Sequence, residues 1–224
     1  SQPLNISDRH RSIDRSSICL KTASGFGGCN AAIVISTEDR SRNTIINAEF
    51  EEIKYCKIES SSIILNGETV FKSDNLEFAT FIREAFKALG ESNLKFYKMD
   101  DLSKLGYIAT THLLKDIEFA PTEAGIILSN NASSLDTDTR FQKIIDEDGD
   151  AAASPAVFVY TLPNIVAGEI CIRHKIQGEN TFFVSDQFEE IKIKEYAKTV
   201  MLHNNLKYCI YGWCELLNNK YKAD

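Results

Sequence analysis

A chain of 224 residues with 43% apolar and 25% charged side chains is long enough to bury one sizeable core and too apolar for a disordered or low-complexity polypeptide. Its net charge of −7 and pI near 5.2 exclude the broad basic footprint of a nucleic-acid binder and disfavour an anionic membrane surface. No apolar run approaches the roughly 20 residues that cross a bilayer, since even Ala156 to Ile172 is broken by Tyr160, Asn164 and Glu169. The beginning of the chain, with Asp8, Arg9, Arg11, Asp14 and Arg15, has no apolar signal core, so the expectation is a cytoplasmic protein. Six cysteines (Cys19, Cys29, Cys56, Cys171, Cys209 and Cys214) form no CxxC pair and lie mostly in apolar runs. They read as buried free thiols in preference to disulfides or a zinc site, and no cofactor is called for.

In chain order, residues 1–17 are polar and read as a mobile lead-in. Ile18 to Leu20 and Ala31 to Ile35 read as strands of a hairpin with a glycine-rich tip, and residues 37–51 as a linker to a main domain at 52–224. That domain opens with a strand at Glu52 to Ile58. A second hairpin, Ile63 to Phe71, follows, whose Asn66-Gly67 pair suits the positive φ angles of a type I′ turn. Leu76, Ala79, Ile82, Phe86 and Leu89 recur at helical spacing, with Asp74 and Glu77 as a capping box and Gly90 as a stop. Leu102, Leu105, Ile108, Ala109 and Leu113 mark a second helix, and Gly125 to Ser129 a short buried strand. The polar, acidic residues 130–153 read as an exposed loop with about one helical turn. Pro163-Asn164 opens a helix to His174, Thr181 to Ser185 is a strand, Phe188 to His203 a helix, and Tyr208 to Leu216 a last buried strand. Strands alternating with helices predict an α/β layered fold around a mixed, mainly parallel sheet.

Three stretches occur in the order of a known family. Lys98-Met-Asp-Asp-Leu-Ser-Lys-Leu-Gly106 is similar to the early helix of the β-ketoacyl-acyl-carrier-protein synthases, Gly125 to Ser129 to the strand after it, and Ser154 to Arg173, with its Pro163-Asn164 and Ala167-Gly168, to the helix that runs into Gly178-Glu-Asn180. The loop Gly25-Phe26-Gly27-Gly28-Cys29-Asn30 resembles the phe-gly-gly-thr-asn motif that closes a whole synthase. Its position ahead of the other motifs departs from the family order and fits either a permuted arrangement or a segment of a tandem fusion. The resemblance implies the N-terminal half of a thiolase-like fold that pairs through the strand before the nucleophile, here Thr181 to Ser185, with a ketosynthase-like subunit or with itself. It also makes acyl carrier protein a possible partner.

In the family the glycine-led turn runs to a catalytic cysteine, the tenth residue counted from the glycine. Here that residue is Gln187, within the elbow Ser185, Asp186, Gln187 and Phe188; a register slip would substitute Asp186 or Phe188. No cysteine lies between Cys171 and Cys209, and an amide cannot attack a thioester. His10, His112, His174 and His203 match neither family histidine motif. The resemblance therefore implies a non-catalytic, chain-length-factor-like auxiliary subunit in fatty-acid or polyketide-type chain synthesis. Two readings stand beside it: an acyltransferase or decarboxylating domain active only with a partner polypeptide, and a small α/β binding module without acyl chemistry. A last expectation is that Tyr208 to Leu216 lacks a return strand and that the N-terminal hairpin fills the vacant edge.

Overall fold

The computed structural model describes residues 18–24, 30–36 and 49–224, and the chain divides into two units, Ser1–Asn47 and Ala48–Asp224. In the first unit β1 (Ile18–Ser24) and β2 (Asn30–Ser36) pair antiparallel, Ile18 opposite Ser36 and Ser24 opposite Asn30. The expected hairpin is present. The glycine-rich tip, Gly25 to Cys29, lies outside the described residues, as do 1–17 and 37–48.

The second unit begins without regular structure and enters β3 (Cys56–Glu59), β4 (Ser62–Leu65) and β5 (Glu68–Lys72). The strand expected from Glu52 starts four residues late. Tyr55 N–H donates to Asn66 Oδ1 and Tyr55 C=O accepts from Asn66 N–H, so the β4–β5 turn takes the last pairing available to that segment. Asn66 and Gly67 both have positive φ, 51° and 86°, as the turn type requires.

Helix α1 (Phe78–Ala88) buries Phe78, Phe81, Ile82, Ala85 and Phe86, while Leu76, expected on its apolar face, is 79% exposed. The expected capping box does not form. Glu77 is the N-cap residue, but its carboxylate accepts from Thr80 Oγ1 and caps no backbone N–H. The Phe78 N–H is instead taken by Asn219 Oδ1 at 2.8 Å, 141 positions along the chain. Gly90, at φ 70°, ends the helix region as expected.

Helix α2 (Asp101–Leu114) is N-capped by Asp100, whose Oδ1 accepts from Ser103 N–H at 3.0 Å and whose Oδ2 accepts from Thr137 Oγ1 at 3.0 Å. Burial raises the carboxyl pKa of Asp100 above its usual range. Thr137 belongs to α3 (Leu135–Asp148), 14 residues of helix where the sequence reads as an exposed loop. Only Thr137 is buried in α3, so the helix has almost no apolar stripe to betray it; Asp136 and Asp138 in its first turn favour the dipole, and Gly149 at φ 80° stops it.

After β6 (Ala124–Asn130) and α3, a short α4 (Pro155–Phe158) leads to α5 (Ile165–His174), then β7 (Asn180–Val184), α6 (Glu190–Asn204), β8 (Tyr208–Leu217) and β9 (Lys220–Ala223). The seven strands of this unit lie in the order β5-β4-β3-β9-β8-β6-β7. Pairing is parallel between β7, β6 and β8 and antiparallel at the other four junctions. The sheet is mixed, as expected, but its parallel part is confined to three strands because tight turns, Asn66-Gly67 and Asn218-Asn219, feed the rest. The return strand β9 corrects another expectation: it pairs with Cys214 to Leu217 of β8 and with Ile58 of β3.

Side chains alternate across the sheet. Ile126, Leu128, Phe182 and Ile210 join a core with α1, α2 and α5, whereas Ile127, Phe183, Cys209 and Tyr211 face α6. Every residue of β6 is buried, as a strand covered on both faces must be.

Two positions set how closely these layers meet. Gly178 N–H donates to Ala124 C=O at 3.1 Å, and a Cβ at 178 would sit 2.4 Å from that oxygen; a Cβ at Gly106 of α2 would meet Val166 of α5 at 2.6 Å. Gly178→Ala is expected to lower stability by about 1–3 kcal/mol, and Asp100→Ala by about 1–2 kcal/mol, with Glu68→Ala near zero as a surface control. Urea midpoints at constant m-value check all three.

His174 gives a pH prediction. Its Nε2 is buried without a partner, and desolvation, with a smaller repulsion from Arg173, pushes its pKa down to about 4. The unfolded chain therefore takes up the proton first, so this residue costs stability as pH falls from about 6.5 toward 4 and has no effect above that window. His174→Met should flatten that part of the stability curve in a pH series of thermal melts; an unchanged slope counts against it.

Candidate functional site

The carboxyl ends of the parallel strands are where open α/β sheets place ligands, because the loops diverge there. In this chain they bring together the end of β6 and the loop after it, Asn130 to Ser134, the segment after β7, Ser185 to Glu189, and Trp213 and Glu215 of β8. Glu215 carries the geometry. Its carboxylate accepts from Asn131 N–H at 2.6 Å and from Ala132 N–H at 3.2 Å, satisfying two loop donors that no strand or helix would. Asn130 folds its own loop, Oδ1 accepting from Ser133 N–H at 2.9 Å and Nδ2 donating to Ser133 C=O at 2.8 Å.

This loop holds the elbow. Ser185 N–H donates to Asn130 C=O at 2.9 Å, and Asn131 Nδ2 donates to Ser185 C=O at 3.3 Å. Ser185 Oγ donates to Gln187 C=O at 2.9 Å, which bends the chain away from β7. Phe188 turns inward against Trp213, ring centroids 5.8 Å apart, and α6 starts two residues later at Glu190. The path from Gly178 to α6 is strand, bend and helix.

Of the residues singled out in the sequence, Ser185, Asp186, Gln187 and Phe188 lie in this elbow, with Asp186 and Gln187 exposed and Ser185 and Phe188 half-buried. Gly25, Phe26, Gly27 and Gly28 lie outside the described residues, and Asn30 is the first residue of β2. Asn130, Asn131 and Glu215 are additions. Their signals in the sequence are a polar Asn-Asn-x-Ser-Ser string directly after a buried strand and one carboxylate inside the apolar Trp213 to Leu217 run.

Among the described residues no thiol lies in the elbow. Cys171 sits on α5, donated to by Asn180 Nδ2 at 3.4 Å, and Cys209 on β8; burial pushes their pKa values up to about 11 and about 12. Cys56, pushed up to about 12, and Cys214, also raised by burial, are buried. These four are free and are held as neutral thiols. Among the described residues no cluster of His, Cys, Asp or Glu is arranged to hold a metal ion, and no single helix is long and apolar enough to cross a membrane.

A separate cavity of about 720 Å³ lies along the first half of β8. Trp213 and Asp224 exchange both backbone hydrogen bonds, at 2.8 and 2.9 Å, and Cys214 to Leu217 pair with β9, but Tyr208 to Gly212 have β6 on one side and no strand of this unit on the other. Glu52 bridges this gap from the opposite wall, accepting from the Tyr211 hydroxyl and pairing with Lys194 at 2.9 Å.

No family model matches the chain, and no curated protein matches it. Among solved structures the chain is similar to the ishigamide ketosynthase/chain length factor, with a TM-score of 0.54, 19% identity, and 73% of this chain and 52% of that one covered. It also matches a ketosynthase (ApeO) in complex with its chain length factor (ApeC) from Xenorhabdus doucetiae, with a TM-score of 0.46, 12% identity, and 58% and 57% covered. The chain thus spans about half the length of these structures. The first likeness shows a thiolase-like α/β fold, as the sequence resemblance implies.

Two measurements test the site as built. Glu215→Ala leaves two loop N–H groups unpaired and is expected to cost about 1–3 kcal/mol, with faster amide exchange at Asn131 and Ala132 than in distant α1. At pH 7.5 Cys171 and Cys209 should react with iodoacetamide far more slowly in the folded protein than in urea; equal rates would contradict the raised thiol pKa values.

Proposed function

We propose that this chain is a non-catalytic, ketosynthase-like auxiliary subunit of polyketide- or fatty-acid-type chain synthesis, similar to a chain length factor, that works beside a ketosynthase-like partner. One observation carries the reading: the strand, bend and helix that would present a nucleophile are intact between β7 and α6, while the residue at the bend is Gln187. Acyl transfer needs a thiolate at that place, both to take the acyl group from a carrier thioester and to hold it for carbon–carbon bond formation. An amide does neither. The ishigamide structure with a similar fold is described as a ketosynthase/chain length factor, which supports a ketosynthase-like subunit as the partner here.

On this reading residues 52–224 correspond to the first half of a synthase and residues 18–36 to its closing hairpin. Thr181 to Ser185 supplies the pairing strand, and acyl carrier protein is a further partner of the assembly.

Incubated alone with an acyl-carrier thioester, the chain should acquire no acyl adduct within residues 178–195 by mass spectrometry, and with malonyl-carrier protein it should release no carbon dioxide. Turnover with a stable acyl-cysteine would sink the proposal, and carbon dioxide without an adduct would favour the decarboxylating alternative.

A further inference from the structure

We draw no further inference here: the strongest candidate, the cavity of about 720 Å³ beside the first half of β8, is a gap in the sheet bordered by Asp224, and nothing in the structure shows what covers it.

Discussion

Strand β7 can lie beside β6 because position 178 carries no side chain. Ala124 C=O accepts from Gly178 N–H, and a methyl group at 178 would collide with the same oxygen. Ile126 N–H then donates to Glu179 C=O at 2.7 Å, and the parallel register from Ile126 opposite Asn180 to Asn130 opposite Val184 follows without a bulge. Register places Ser185 level with the end of β6, where Asn130 and Asn131 can hold it. The elbow is therefore brought level with the β6 loop from the beginning of the strand, seven residues before the bend, and is held there by Asn130 and Asn131.

From there polar contacts tie the segments around the sheet in three groups. Glu215 fixes the β6 loop, and that loop fixes the elbow through Ser185. On the other side of the sheet, Asp100 joins the first turn of α2 to α3, and Tyr160 donates to Glu169 of α5 at 2.9 Å while Lys95 pairs with the same carboxylate at 2.7 Å. Most of these side chains are buried or half-buried, so each contact offsets a desolvation cost that an isolated polar group would leave unmet. The first group maintains a bend at which the resemblance would place chemistry, and among the described residues no thiol lies in it.

What was legible in the sequence had a local cause. The Asn66-Gly67 turn, the apolar face of α2, the Pro163-Asn164 start of α5 and the β7-to-α6 path all follow from period, turn chemistry or a stop residue within a few positions. What was not legible depends on distant partners. Helix α3 lacks an apolar stripe and is held by Asp100, by Phe158 packed on Phe141 at 5.8 Å, and by its own charges. The capping box failed for the same reason, since the N–H of Phe78 found Asn219 before it found Asp74 or Glu77. Glu215 reads as an anomaly in an apolar strand until the loop it serves is folded beside it.

The cap on α1 has a consequence in time as well as in space. Asn219 sits in the turn between β8 and β9, so the start of this helix waits on a turn 141 positions further along the chain. During synthesis from the N-terminus, α1 emerges with its apolar face formed but its first turn frayed, and β3, which pairs with β9, emerges without that neighbour. Contacts of such long sequence separation are slow to close. Phe78 and Phe81, which pack on Tyr221, and Ile58, opposite Ala223, therefore stay incompletely covered until β9 has joined the sheet.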